Sequence, residues 1–166
     1  MSAVVKFENK NPLLNSEVIK AFVESVKNTI KTTTSLQISS EKPYTANTNT
    51  IKAEIAGIVG ITSNEHSGLL IMSFSKEAVL EIHNTMLGES ETEMSQSVVD
   101  LVGELSNMVY GTSKSELNKM GYNFKMAIPT VAKGSFEITN KSKSLTIMMP
   151  FKISEKYSFM VSVSVE

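Results

Sequence analysis

The sequence predicts an α+β domain in which long helices pack on a largely antiparallel sheet. Two long stretches, 14–30 and 101–112, repeat apolar residues at helical spacing. Several shorter runs rich in Val, Ile, Thr and Phe are bounded by turn residues and read as strands. The chain order is helix, strand pair, short helix, long helix, then strands. Each half is thus a helix followed by paired strands, a weak internal pseudo-repeat. The 166 residues suffice for one domain with a real core, taken as 1–166.

The elements follow in order. The stretch VVKF (4–7) reads as a short strand. In NPLLNSEVIKAFVESVKNTIKT, residues Leu14, Val18, Phe22, Val26 and Ile30 step by four, with Val23 alongside, which predicts an amphipathic helix. Asn11 before Pro12 is its start signal. Residues 32–50 are polar and turn-rich, contain Pro43, and have room for one short strand. The runs 50–63 and 67–75 predict two strands, with NEHSG as the break of a hairpin. KEAVLEIHNTML (76–87) predicts a short helix closed by Gly88. After an acidic link, a long helix runs from about 94 to 120 and stops at Gly121. The stretch 122–134 is extended, and Pro129 inside it argues for an edge or a bulge. SFEITN, SLTIMMPFKIS and YSFMVSVSVE predict three more strands. In the last, Phe159, Val161, Val163 and Val165 alternate with Met160, Ser162 and Ser164, the pattern of a sheet with one covered face.

Composition narrows the function. Sixteen Lys and Arg against 17 Asp and Glu give a net charge of -1, which offers no basic surface for nucleic acid. The absence of cysteine excludes a disulfide framework and a thiolate metal site. The N-terminal segment has no signal-peptide pattern, and no apolar run reaches the length of about 18 residues that a membrane span needs. A cytoplasmic location is the expectation. His66 and His83, the two histidines, lack the spacing of a zinc site and read as structural or solvated. There is no glycine-rich phosphate loop and no serine in a nucleophile elbow. The ten methionines read as core filler.

The long helix poses the remaining question. Leu101, Val102, Leu105, Met108, Val109 and Thr112 form its expected apolar stripe. The opposite side carries Asp100, Glu104, Asn107 and Gly111. Asn and Gly are poor helix formers, Gly by about 1 kcal/mol against Ala. Glu-x-x-Asn places both side chains on one face, yet the bare pattern also occurs at Glu8/Asn11, Glu81/Asn84 and Glu137/Asn140. Only Glu104/Asn107 lies in a long helix with an opposing apolar stripe. It alone has an aspartate one turn earlier, Asp100, the single aspartate of the chain. On spacing alone, a solvated polar face remains the ordinary reading.

Asp100-x-x-x-Glu104-x-x-Asn107, within VVDLVGELSNMVYGTSKSEL, resembles the signature of the CheC/CheX/FliY chemotaxis phosphatases: Asp or Ser, three residues, Glu, two residues, Asn. NPLLNSEVIKAFVESV, GIVGITSNEHSGLLIMSFSKEAVLEIHNTMLGE, NFKMAIPTVAKG and MMPFKIS are similar to further stretches of the CheX branch, so the resemblance covers nearly the whole chain. CheC carries the motif twice, once on its first helix. Here the first helix offers Glu24 and Asn28, four apart, and Lys27 stands where the Asn is needed. A single central motif fits CheX better.

The resemblance implies a CheC-like fold and hydrolysis of the aspartyl phosphate on a CheY-like response regulator. It implies that Asn107 orients the attacking water and Glu104 docks against the regulator's active-site lysine. Asp100 then positions the helix or binds another regulator group, and Gly103 and Gly111 let the partner backbone approach. No cofactor or metal of its own is expected; Mg2+ belongs to the regulator. A homodimer with a continuous sheet is implied as well. Two rival readings stay open at this point: a non-catalytic module of the same fold that binds the phosphorylated regulator, and a structural homodimer subunit. An enzyme acting on a small-molecule phosphate lacks a basic cradle for it.

Overall fold

The computed structural model describes residues 11–46, 50–139 and 145–166. The strand expected at 4–7 lies outside them, as do Glu8 and Asn140 of two of the Glu-x-x-Asn pairs.

The first helix does not begin at Pro12. Pro12–Leu14 forms a single 3-10 turn capped by Asn11, and α1 (Ser16–Thr33) starts after Asn15, whose side chain accepts from the Glu17 N–H at 3.0 Å. The tight turn rotates the chain, so Leu13 is buried and Leu14 is exposed, the reverse of the expected stripe. From Val18 onward the four-residue step holds, and Val18, Phe22, Val26 and Ile30 are buried. The polar stretch after α1 contains two short strands, β1 (Ile38–Ser40) and β2 (Tyr44–Thr45), on either side of Pro43.

The predicted hairpin is β3 (Thr50–Thr62) and β4 (Ser67–Phe74), paired antiparallel. Helix α2 (Lys76–Leu87) is capped by Ser75 and closed by Gly88, whose φ of 64° is the left-handed conformation that glycine adopts without cost. Helix α3 spans Gln96–Lys119. Three strands follow: β5 (Thr130–Thr139), β6 (Leu145–Ile153) and β7 (Tyr157–Val165). Residues 130–134 and the SFEIT run therefore form one strand, while 122–129 lies ahead of it. A bulge opposite Ala53 and Ile55 divides it, and Pro129 sits just ahead of it, where a missing N–H costs no ladder bond.

All pairings are antiparallel, in the order β1-β6-β7-β4-β3-β5, with β2 also on β6. The hairpins β3–β4 and β6–β7 meet at the β4/β7 pair. Each follows a long helix in the chain, which gives the pseudo-repeat a structural form. The main core lies between one sheet face and the helices. It joins Phe22, Val26 and Ile30 of α1, Ile82 of α2 and Leu105 and Val109 of α3 to Val59, Met72, Phe74, Phe151, Val161 and Val163. Burial of this apolar area is the main force holding α3 on the sheet.

The other face is not simply wet. Ser162 and Ser164 of β7 are buried, and Ser164 shares a 2.8 Å hydrogen bond with Thr146. Bulges bend and twist the strand that carries them. The outer half of the β3–β5 pair, beyond its bulge, contributes Ile51, Ala53, Phe136 and Ile138 to a second cluster with Ala56, Ile71 and Met148. Along β7, Phe159, Val161, Val163 and Val165 are thus buried on one face, while on the other Ser162 and Ser164 are buried, Met160 is half-buried and Ser158 is exposed.

Candidate active site

Helix α3 turns its apolar side to the sheet as expected in its first half, where Val98, Leu101, Val102, Leu105 and Val109 are buried. The stripe then shifts. Ser106, Tyr110, Ser113 and Leu117 are buried, while Met108 and Thr112 are exposed. The cause is a close helix–sheet approach. Ser106 packs over Gly57 of β3, where a side chain would collide with its hydroxyl. Small residues face the sheet there, and their hydroxyls need no other partner. Ser106 Oγ donates to the Val102 carbonyl and Ser113 Oγ to the Val109 carbonyl, both at 2.7 Å.

This seating leaves Asp100, Glu104, Asn107 and Gly111 exposed, with Gly103 half-buried between them. The face therefore exists as the spacing predicts. Glu104 and Asn107 stand one helical turn apart, a rise of about 4.5 Å. Gln96 donates to the Asp100 carboxylate at 2.8 Å, so Asp100 is held from within its own helix. A side chain at Gly103 would touch Val131 at an ordinary 3.5 Å, and Gly111 faces open space. Neither glycine is required by packing among the described residues.

A second segment completes the site. After Gly121, residues 122–129 return past α3 without regular structure. Asn118 clamps both backbone groups of Phe124, accepting its N–H at 2.7 Å and donating to its carbonyl at 3.0 Å. The Lys125 N–H donates to the Thr62 carbonyl at 2.8 Å, and the Tyr110 hydroxyl donates to the Lys125 carbonyl at 2.5 Å. Burial pushes the Tyr110 phenol above its ordinary pKa. Together these bonds hold the segment against α3 and β3. A shallow groove of about 610 Å3 results, lined by Val99, Asp100, Gly103, Glu104 and Asn107 on one side and Ile128, Pro129 and Val131 on the other. Among the described residues its lining contains two carboxylates and no cation, which favours a partner's ammonium group over a bare phosphate.

The sequence reading found the helix side of the groove and missed the other wall. Pro129 was visible as an irregularity. Ile128 was hidden because an extended stretch, even one that Pro129 marks as an edge or a bulge, gives no sign of which side chain will line a groove. The histidines stand apart from the groove. His83 is fully buried, with Nε2 2.9 Å from Ser97 Oγ and Nδ1 3.2 Å from Asn84 Oδ1, and so joins α2 to the start of α3. His66 is buried in the β3–β4 turn, edge-on to Tyr122. Both are structural. Among the described residues, no three His, Asp or Glu side chains converge as a metal site would require. No described helix is long and apolar enough to cross a membrane.

Residues 55–152 match the family model of the chemotaxis phosphatase CheX. The chain is 27% identical over 154 residues to the CheY-P phosphatase CheX of Thermotoga maritima, covering 92% of this chain and 98% of that protein. The crystal structure of a CheC-like superfamily protein from Shewanella sp. PV-4 superposes with a TM-score of 0.84 at 35% identity, covering 92% of this chain and 99% of that one. The chemotaxis protein CheX of Vibrio vulnificus superposes with a TM-score of 0.83 at 31% identity, covering 90% and 99%. The matched region takes in both the α3 motif and the opposite groove wall, and the chain belongs to the CheX family of chemotaxis phosphatases.

Proposed function

We propose that this protein hydrolyses the aspartyl phosphate of a CheY-like response regulator, with Asn107 as the catalytic amide and Glu104 as its docking partner. The observation that carries the reading is the paired exposure of Glu104 and Asn107 on a rigid helix, beside a groove whose lining among the described residues holds two carboxylates and no cation. Two neighbouring side chains on a well-packed helix can enter another protein's active site at fixed spacing. The family relative named a CheY-P phosphatase supports the same substrate class.

The chemistry needs little from this chain. A phosphorylated regulator already holds Mg2+ and its electrophile, so the missing component is a water held in line with the scissile P–O bond. A primary carboxamide suits that task, since its oxygen accepts from the water while its nitrogen donates. Asn107 orients the water. The water oxygen bonds to phosphorus, the P–O bond to the aspartate breaks, and the carboxylate leaves. Inorganic phosphate is released with one proton to solvent. Glu104 pairs with the regulator's active-site lysine and fixes register. Asp100 positions the helix against the regulator, and Gly103 and Gly111 admit its backbone.

The chain, taken as one domain over 1–166, uses no metal of its own, acts in the cytoplasm as a homodimer, and binds neither nucleic acid nor membrane. The test is the decay of a phosphorylated chemotaxis response regulator in Mg2+, with and without this protein. Accelerated decay is expected. Binding of the phosphorylated regulator without acceleration would leave the non-catalytic module as the correct reading.

A further inference from the structure

We propose that Ile128, with Met126 beside it, is an apolar anchor that seats the regulator's receiver domain against the Glu104/Asn107 face. The inference rests on the phosphatase reading and adds a docking element that the acid–amide motif does not contain.

Ile128 is 90% exposed and Met126 is 87% exposed, the two most exposed large apolar side chains described. A single exposed apolar residue needs no explanation. Here two stand together, and Ile128 also lines the same groove as Asp100, Glu104 and Asn107. A partner whose phosphoryl group meets Asn107 therefore covers Ile128 as well.

The segment is built to hold these side chains outward. Regular pairing of β5 with β3 ends at Thr130 opposite Ile58. The chain rejoins β3 where the Lys125 N–H meets the Thr62 carbonyl. Five residue steps on this side answer four on β3, so one extra residue lifts the chain away from the sheet edge. Pro129 fixes its own φ and restricts Ile128 to extended conformations. The Asn118 and Tyr110 bonds clamp the near end. An exposed side chain on a restrained backbone loses little freedom on binding, which is a property of interface anchors.

The test uses the full chain and a chemotaxis regulator, phosphorylated for turnover and activated with beryllofluoride and Mg2+ for binding. Ile128→Ser and the double variant with Met126→Ser should fold as the parent does, because both side chains are exposed. The expected result is a KM and a Kd for the activated regulator raised about tenfold to a hundredfold, the scale of one buried aliphatic side chain, with kcat unchanged. Ile128→Leu should restore most of the affinity. Leu87→Ser, which removes exposed apolar surface on α2 outside the groove, should change neither constant.

Parental KM and Kd in Ile128→Ser, from a wild type that is active, would overturn the anchor and leave the phosphatase reading standing. Such parental constants together with loss of self-association in light scattering would assign the patch to a second copy of this chain instead. A wild-type protein that does not accelerate decay would fail at the earlier step and remove the phosphatase reading. The anchor would then survive only as a binding element, and an unchanged Kd in Ile128→Ser would remove it too.

Discussion

Gly57 of β3 lies directly beneath Ser106 of α3, so close that a methyl group on Gly57 would sit 1.8 Å from the Ser106 hydroxyl and 3.3 Å from the Val102 carbonyl oxygen. This contact sets how deeply α3 seats on the sheet. Because Asn107 follows Ser106 in the helix, it also sets where the proposed catalytic amide points.

Gly57→Ala is therefore expected to destabilise the fold by about 1–3 kcal/mol, the usual cost of overpacking. Urea unfolding measures it. Ser106→Gly should restore part of the loss in the double variant, less about 1 kcal/mol for a glycine inside a helix. The folded fraction of Gly57→Ala should also dephosphorylate the regulator more slowly, since a shift of about 1 Å in a catalytic group can cost about 100-fold. Parental stability in Gly57→Ala would show that the sheet yields easily at this point.

Tyr110 links the two walls of the groove through its bond to the Lys125 carbonyl. Tyr110→Phe should cost about 1 kcal/mol at neutral pH, the net value of one hydrogen bond. The sign of its pH dependence follows from burial, which raises the folded-state pKa. The neutral phenol's contribution is complete below the unfolded value of about 10 and is lost as pH rises through the higher folded value. Thermal melts between neutral pH and about pH 11 should show parental stability falling more steeply than that of Tyr110→Phe at the alkaline end. Parallel curves would place the Tyr110 hydroxyl in an environment open to water.

The parts of this fold legible in the sequence are those where one chemical type serves one structural role. The β3–β4 hairpin, α2 with its Gly88 cap, and the exposed Glu104/Asn107 face all follow from apolar periodicity and turn residues. Reading failed where a residue's size mattered more than its polarity. Ser106 and Ser113 are buried because they are small and can bond to their own helix, and that displaced Met108 and Thr112 from the expected stripe. Leu13 and Leu14 exchanged places because a 3-10 turn advances the chain differently from an α-helix. Met126 and Ile128 escaped notice because an apolar residue in an extended run gives no sign of which side will be covered. The pairing that exposes them depends on β3, more than 60 residues away in the chain.

Glu104→Lys is expected to weaken binding of the activated regulator more than Glu104→Ala does. In the proposed docking, truncation removes an attraction to the regulator's lysine, whereas the reversal sets two ammonium groups against each other in a desolvated contact. A loss on the order of 2–5 kcal/mol is expected, read as Kd by titration calorimetry. Because Glu104 is exposed, the variant should melt within about 0.5 kcal/mol of the parent. Unchanged affinity would place Glu104 outside the interface.

Asn107→Ala separates catalysis from docking in one stably folded protein. Asn107 is exposed in the body of α3, and Ala is the better helix former by up to about 0.7 kcal/mol, so the variant should be at least as stable as the parent. It keeps Glu104, Asp100 and the Ile128 wall, so it should still bind the activated regulator. In the proposed mechanism the water that attacks phosphorus then has no amide to orient it. Stimulated decay at saturating protein should fall by about 100-fold or more, the scale of a misplaced reacting group. A parental decay rate would mean that Asn107 only decorates a solvated face and that the non-catalytic module is the better account. Equal losses of rate and affinity would make it a docking residue. Retained affinity with lost turnover is the outcome specific to a water-positioning amide, because only that role acts in the transition state and leaves the bound ground state as it was.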